Sequence, residues 1–210
     1  MRPDPDGRRR WDRAYQEVLA WTRETAVAPA GASPGDAGGP GGVGGLLSVT
    51  WQWALPRGDD SSGLVELVTG VDLVAEQLRI AAGEPLPREG PREPRGHAIE
   101  FRICAEDPDR GFLPQPGKVG RVHLPAGPWV RSDTWLEPDS IVSPYYDSLL
   151  AKVVVWGADR AEAIARSRRA LHELEIDGVA TTTPLHRRLL DEPWFAAADF
   201  HTATLEGWLT

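Results

Sequence analysis

The feature that most constrains the fold is the apolar run "KVVVWG" at residues 152–157, which ends the longer stretch "SIVSPYYDSLLAKVVVWG" at residues 140–157. A strand with one face in water alternates apolar and polar residues, but here three valines follow one another. The run therefore predicts a central strand, buried on both faces. A polar corner with Tyr145, Tyr146 and Asp147 precedes this strand, and the packing of a buried strand does not by itself require such a corner.

Other segments predict strands that could pair with the central one. In "HAIEFRICAE", Ile99, Phe101 and Ile103 alternate with Glu100, Arg102 and Cys104, which predicts a half-buried strand. The segment "DPDRGFLPQPGK" that follows is rich in turn-forming residues, and "VGRVHL" and "WVRSDTW" after it are short strand candidates.

Three segments predict helices. "TGVDLVAEQLRIAAG" has Thr69 as N-cap, Asp72 at the third helical position and Gly83 as its stop, with an apolar stripe of Val71, Val74, Leu78 and Ala81. "DRAEAIARSRRALHELEI" has a capping box of Asp159 and Glu162, with an inward face of Ala161, Ile164, Leu171 and Leu174. "TTPLHRRLLDEPWF" has Pro184 in its first turn. Helices and strands do not alternate regularly, so we expect an α+β fold with an antiparallel sheet and flanking helices.

The chain divides into two unequal parts. Residues 27–49 are dominated by glycine, proline, alanine and serine, which bury too little apolar surface to offset backbone entropy. Regular, capped elements begin only near residue 64. We therefore predict a low-complexity segment over residues 1–63, partly disordered, followed by a folded domain over residues 64–210.

Charge and cysteine content exclude several classes of protein. A net charge of -8 argues against general nucleic-acid binding and against an anionic membrane surface. The sequence has neither a run of 18 apolar residues nor an apolar stretch after its basic N-terminus, which predicts no transmembrane helix and no signal peptide. The single cysteine, Cys104, predicts a cytoplasmic protein without a zinc cluster.

The common catalytic motifs are missing from the sequence, including the glycine loops that bind phosphate. The five histidines show no paired ligand spacing, so we interpret them as surface or edge residues, and Cys104 as a packed thiol. Glu106, Asp107 and Asp147 are typical of turns and caps. Arg131, in a strand with aromatic and glycine neighbours, is either an ordinary surface arginine or a functional one.

Four blocks in order resemble the carboxy-terminal domain of biotin carboxylase, the ATP-grasp component of acetyl-CoA, propionyl-CoA and pyruvate carboxylases. The blocks are "VTGVDLVAEQLRIAAGEPLP", "GHAIEFRICAEDP" with "FLPQPGKV", "VSPYYDSLLAKVVVWG" and "AIARSRRALHELEIDGVATTTPL". The resemblance covers about residues 64–210. It implies ATP-dependent carboxylation of biotin on a carrier protein by bicarbonate, an activity used in fatty acid biosynthesis.

The resemblance also implies roles for individual residues. Arg131 falls on the arginine that approaches the ureido ring of biotin and stabilises negative charge there. Trp156 and Arg160 fall on positions at the homodimer contact of bacterial members. The remaining matches imply a supporting scaffold, in which the polar corner holds the loop that presents Arg131; they are Arg102, Glu106, Asp107, Pro144, Tyr145, Tyr146, Asp147, Ser148 and Lys152.

Upstream of residue 64 the sequence departs from the family. By spacing, Arg57 falls on the arginine that binds bicarbonate, but Ser61 replaces the general base and Trp53 replaces a magnesium carboxylate. Serine is a poor base at neutral pH, and tryptophan offers magnesium no oxygen ligand. ATP and magnesium are therefore expected for the family but not for this chain.

Two interpretations remain open. One is a partial biotin carboxylase, incomplete as a catalyst, whose first 63 residues derive from truncation or a frameshift. The alternative is a non-catalytic regulatory module that docks a biotin carrier or a full-length biotin carboxylase through the Trp156 and Arg160 surface. In either case, the domain is expected to expose an apolar face that promotes dimerisation or low solubility.

Overall fold

The computed structural model describes residues 62–85, 94–201 and 203–209, in two compact units. The first contains residues 62–85 with Pro94 and Arg95, and the second contains residues 96–201 and 203–209. The predicted boundary at residue 64 stays a prediction. The predictions for residues 27–49, Trp53, Arg57 and Ser61 lie outside the described residues.

In the first unit, helix α1 spans Ser62–Thr69 and helix α2 spans Leu73–Ala81. The predicted N-cap at Thr69 is wrong, because Thr69 ends α1 and its hydroxyl donates to the carbonyl of Val65 at 2.6 Å. Gly70 follows with a φ of +69°, a conformation that ends a helix. The N-cap of α2 is Asp72, whose carboxylate accepts from the backbone N–H of Ala75 at 2.8 Å.

The predicted apolar stripe of α2 is also wrong in phase. Val74 and Leu78 are 57% and 54% exposed, while Leu73 and Glu76 are buried. Val71, which the predicted stripe included, is buried and forms the small apolar cluster with Leu73. Gly83, with a φ of +91°, lies just beyond the last turn, as predicted.

The second unit contains most of the regular structure. Its strands are β1 (His97–Cys104), β2 (Glu106–Asp107), β3 (Leu113–Pro114), β4 (Gly117–Lys118), β5 (Val122–His123), β6 (Val130–Thr134), β7 (Ile141–Val142), β8 (Leu149–Gly157) and β9 (Glu175–Ile176). Its helices are α3 (Arg160–Glu173), α4 (Thr183–Leu189), α5 (Pro193–Ala197) and α6 (Thr204–Leu209), with a 3₁₀ turn at Pro108–Arg110. The predicted α+β fold is confirmed.

The main sheet has three antiparallel strands in the order β1–β8–β6. Strand β8 lies at its centre, and Val153, Val154 and Val155 are all completely buried, as the apolar run predicts. In the register, Phe101 lies opposite Val153. The prediction of a half-buried β1 is wrong, because Glu100 and Cys104 on its other face are also buried, at 2% and 6% exposure.

Helix α3 packs on one face of this sheet. Asp159 caps it by accepting from the N–H of Glu162 at 2.8 Å, and Glu162 accepts in return from the N–H of Ala158. Ala163 rather than Ala161 faces the core. Strand β8 and helix α3 approach closely at this point, since a Cβ on Gly157 would lie 2.3 Å from the Ala163 nitrogen. The core formed here includes Ile99, Phe101, Ile103, Val153, Val155, Ile164, Leu171 and Leu174.

The third predicted helix is two helices. Helix α4 ends at Leu189, and α5 begins at Pro193 after Glu192 adopts an extended conformation with ψ of 128°. Proline disfavours the helical conformation for the residue that precedes it, which explains the break. Among the helices described here, none is long and apolar enough to cross a membrane.

Candidate functional site

Arg131 lies on edge strand β6, where its side chain is 42% exposed. Its Nε donates to Oδ1 of Asp133 at 2.9 Å. Residues two apart in a strand share a face, and the two side chains are similarly exposed. The carboxylate therefore fixes the direction of the guanidinium, which keeps its charge at all physiological pH values. Asp133 was not identified from the sequence, although the R-x-D spacing is a usable signal.

Further charged residues lie on the same face of the sheet. In the strand register, Asp133 of β6 lies opposite Lys152 of β8, and Lys152 lies opposite Arg102 of β1. Three charged residues therefore form one row across the sheet. Arg131 lies opposite Val154, and Val154 lies opposite the buried Glu100. The structure thus brings Arg131, Arg102 and Lys152 onto one face, together with the carboxylates of Asp133 and Glu100.

The polar corner before β8 contacts the segment that follows β1 rather than the turn before Arg131. Ser148 donates its hydroxyl to Glu106, and its carbonyl accepts from the N–H of Ala105 at 2.8 Å. Asp147 accepts from the N–H of Leu149 at 2.7 Å and so starts the strand. The corner therefore fixes the chain after β1 rather than the turn before Arg131.

Asp107 and the two tyrosines of the corner are also placed. Asp107 caps the 3₁₀ turn by accepting from the N–H of Asp109 at 3.1 Å, as expected for a turn residue. Tyr145 and Tyr146 are 89% and 85% exposed. Their rings therefore pack against little of the described chain, and their role in a scaffold stays a prediction.

Helix α3 holds the turn before Arg131. Arg169 donates to the carbonyl of Ala126 at 3.0 Å, and Glu173 pairs with Arg169 at 2.7 Å. Hydrogen bonding to Arg169 lowers the pKa of the Glu173 carboxyl. Gly127, with a φ of +108°, lies next to the guanidinium of Arg169. The turn is therefore anchored by a helix, which the sequence alone did not indicate.

The two residues predicted to contact a second copy have well-defined surroundings within the chain. The ring of Trp156 lies against Gly96, where an added Cβ would come within 2.5 Å of the ring. Arg160 donates to the carbonyls of Phe195 and Ala196 and contacts Nε2 of His97. Arg160 thus caps the C-terminal end of α5, and its role in a dimer stays a prediction.

Two histidines are more buried than a surface or edge position implies, while Cys104 is buried as predicted. Burial lowers the pKa of His97 to about 4, and the charge of Arg160 lowers it further. His186 is completely buried, and its Nε2 lies 2.9 Å from the carbonyl of Arg102. Its pKa also falls to about 4, because burial disfavours the charged ring. Burial raises the pKa of the Cys104 thiol to about 11, which agrees with a packed thiol.

Comparisons with known proteins identify the family of this chain. The sequence profile of the family described as "Biotin carboxylase C-terminal domain" matches residues 100–207, more than half of the chain. The chain is 50% identical over 130 residues to the biotin-dependent acyl-coenzyme A carboxylase alpha3 subunit of Mycobacterium leprae. This match covers 62% of the present chain and 22% of the Mycobacterium leprae protein. It is 47% identical over 144 residues to the biotin carboxylase of Nostoc, which covers 68% of this chain and 32% of that protein.

A solved structure is similar as well. The biotin carboxylase domain dimer of Hydrogenobacter thermophilus 2-oxoglutarate carboxylase, in complex with MgADP, ADP and bicarbonate, has a TM-score of 0.69 and 40% identity. The match covers 71% of this chain and 33% of that one. The chain therefore spans between about a fifth and a third of the length of these three relatives. By its sequence profile and its fold, the chain belongs to the biotin carboxylase C-terminal domain family.

Proposed function

We propose that this chain provides the biotin-binding part of a biotin carboxylase, in which Arg131 receives the ureido group of biotin. The observation that supports this most directly is the exposed guanidinium of Arg131, held by Asp133 through its Nε at 2.9 Å. A guanidinium presents several donors in a fixed plane and stays charged. It therefore suits an oxygen on which negative charge develops.

The proposed chemistry is transfer of a carboxyl group to a ureido nitrogen of biotin. That nitrogen gives its proton to a base and negative charge gathers on the ureido oxygen. The nitrogen then forms a bond to the carboxyl carbon as the bond between that carbon and the leaving group of its donor breaks. Arg131 donates hydrogen bonds to this oxygen and lowers the energy of the charged species. We assign neither the proton acceptor nor the activated carboxyl donor to the described residues.

We assign no magnesium nucleotide to the described residues. Magnesium prefers an octahedral set of oxygen ligands. Over residues 62–85, 94–201 and 203–209, no group of three or more His, Cys, Asp or Glu side chains could hold a metal ion. ATP and magnesium therefore enter no step proposed for these residues.

The proposed partner is a protein that carries biotin on a lysine side chain. A homodimer or a pair with a full-length biotin carboxylase is the proposed assembly, supported by the dimer that the Hydrogenobacter thermophilus relative forms. Trp156 and Arg160 remain the proposed contact residues. A cytoplasmic location, inferred from the single cysteine, is proposed with them.

The binding proposal is tested by titrating the chain with biocytin, the biotin amide of lysine. Arg131→Ala removes a charge-assisted hydrogen bond, so we expect affinity to fall about ten- to a hundredfold. Arg121→Ala is the matched control, because Arg121 is 70% exposed and paired with Asp177 in the same way. Equal affinities for the wild type and Arg131→Ala would refute the proposed role of Arg131.

Catalytic incompleteness is tested by measuring ATP hydrolysis with bicarbonate and biotin. We expect no bicarbonate-dependent hydrolysis, because Ser61 and Trp53 stand where the family has a base and a metal ligand. An Arg131→Ala sample purified in the same way from the same host controls for contaminating host biotin carboxylase. Hydrolysis that depends on both bicarbonate and biotin would contradict this expectation and make Arg57 the next residue to mutate.

A further inference from the structure

Trp129 has a strained backbone that its packing does not explain. Its φ is +65°, a conformation that is an outlier for a bulky residue. Phe112 has a φ of +61°, but its ring packs against a buried cluster. Trp129 instead leaves 54% of its surface exposed. Strain that burial does not offset is a reason to look for a function.

The Trp129 ring is nevertheless held in a defined place. Its centroid lies 4.6 Å from that of Trp156, with the planes tilted by 42°. The guanidinium of Arg166 lies 5.9 Å from the Trp129 ring and 5.8 Å from the Trp156 ring. Arg166 itself donates to the carbonyl of Trp156 at 2.8 Å. The indole is therefore fixed in advance, as a binding surface needs to be.

The Trp129 ring, just before strand β6, contacts the ring of Trp156, a residue on the same face of the sheet as Arg131. The carbonyl of Trp129 accepts from the N–H of Trp156 at 2.9 Å, and Arg131 lies opposite Val154. Trp156 and Val154 are two residues apart on β8 and so share a face. Two residues of a strand span roughly 7 Å. Arg131 thus has a carboxylate on one side, at Asp133, and an exposed indole on the other.

We infer that Trp129 is a specificity-determining residue for the biotinyl group, an inference that rests on the proposed role of Arg131. Biotin joins a polar ureido ring to an apolar thioether ring and an aliphatic arm. A site for it needs one cationic donor beside one apolar wall. With the ureido oxygen at Arg131, the thioether ring and arm pack on the indole of Trp129, where sulfur and aromatic contacts are favourable.

The test compares Trp129→Gly with the wild type in biocytin titrations. Loss of an aromatic contact is expected to weaken binding about three- to tenfold. Glycine adopts a positive φ without strain, so the thermal unfolding midpoint is expected to stay equal or rise. Trp129→Asn, which also tolerates this conformation, repeats the test if the glycine variant is less stable. The combination of weaker binding with undiminished stability is not expected of a residue with a merely structural role.

The matched control is Trp135→Phe. Trp135 is 53% exposed and follows the other end of β6, where its Nε1 donates to the carbonyl of Leu149 at 3.0 Å. We expect this variant to bind biocytin like the wild type. In a ¹H–¹⁵N spectrum, the indole signal of Trp129 should shift on addition of biocytin and that of Trp135 should not. Desthiobiotin, which lacks the thioether ring, should lose less affinity than biocytin on Trp129→Gly.

The outcomes separate the two proposals. If Arg131→Ala weakens biocytin binding but Trp129→Gly does not, the inference about Trp129 is overturned and the role of Arg131 stands. If Trp129→Gly and Trp135→Phe weaken binding equally, Trp129 has no specific role and the inference is also overturned. If the wild type does not bind biocytin, the proposed function fails and this inference fails with it.

Discussion

The two faces of the three-stranded sheet come from the same strands but have different compositions. One face presents Ile99, Phe101 and Val153 to helix α3, and these three side chains are buried. The other presents Arg131, Asp133, Arg102 and Lys152, with exposure increasing toward edge strand β6. Alternation in a strand lets one segment serve both purposes. The comparison teaches that stability and the proposed recognition depend on alternate residues of the same strands.

The largest expected effect lies on the enclosed face. Phe101 is 2% exposed and lies opposite Val153, so Phe101→Ala leaves a cavity under α3. We expect a loss of about 3–5 kcal/mol in the free energy of unfolding, measured by urea titration. Arg131→Ala, on the other face, should cost less than about 1 kcal/mol. Similar losses for both variants would show that the two faces do not differ as proposed.

The sequence predicts this comparison only in part. The run of valines at residues 153–155 indicates a central strand, and the alternation around Phe101 gives the right phase, because both are local patterns. The burial of Glu100 is not predictable from that alternation, since it depends on what covers the second face. The phase of α2 was missed because its apolar residues do not mark its buried face: Val74 and Leu78 are exposed, while Glu76 is buried.

The candidate site, too, was predictable from the sequence only in part. Arg131 was identified through family resemblance, whereas Asp133, which strand periodicity places on the same face, was not identified. The positive φ of Trp129 has no sequence signal, since aromatic residues disfavour that conformation. The burial of His186 was missed as well, because its partner is the carbonyl of Arg102, 84 residues away in the chain.

An intermediate effect is expected from pH, through the enclosed face. His186 contacts the ring of Phe101, and its pKa of about 4 lies below the value of 6.5 for an exposed histidine. Between these values the unfolded chain binds a proton that the folded chain does not. Stability is therefore fully present above about pH 6.5 and falls as the pH is lowered toward 4, by about 3 kcal/mol for this histidine.

The variant His186→Gln isolates this contribution, because glutamine keeps a donor near the Arg102 carbonyl but does not titrate. Its unfolding free energy should fall less steeply with acid than that of the wild type, measured by urea titration at several pH values. His97, whose pKa is also lowered to about 4, contributes to the slope of both proteins and cancels in the difference. Parallel slopes for the two proteins would contradict the assignment to His186.

The smallest expected effect lies on the face that carries Arg131, at the ion pair of Arg131 and Asp133. Both side chains are 42% exposed, so solvent screens their attraction. Asp133→Asn keeps an oxygen acceptor for the Nε of Arg131 and removes only the charge. We expect a change below about 1 kcal/mol in unfolding free energy, which shrinks further in 1 M NaCl, where the screening length is about 3 Å. Urea titrations at low and high salt measure it, and a salt-independent loss as large as that of Phe101→Ala would mean that this face, too, is part of the enclosed core.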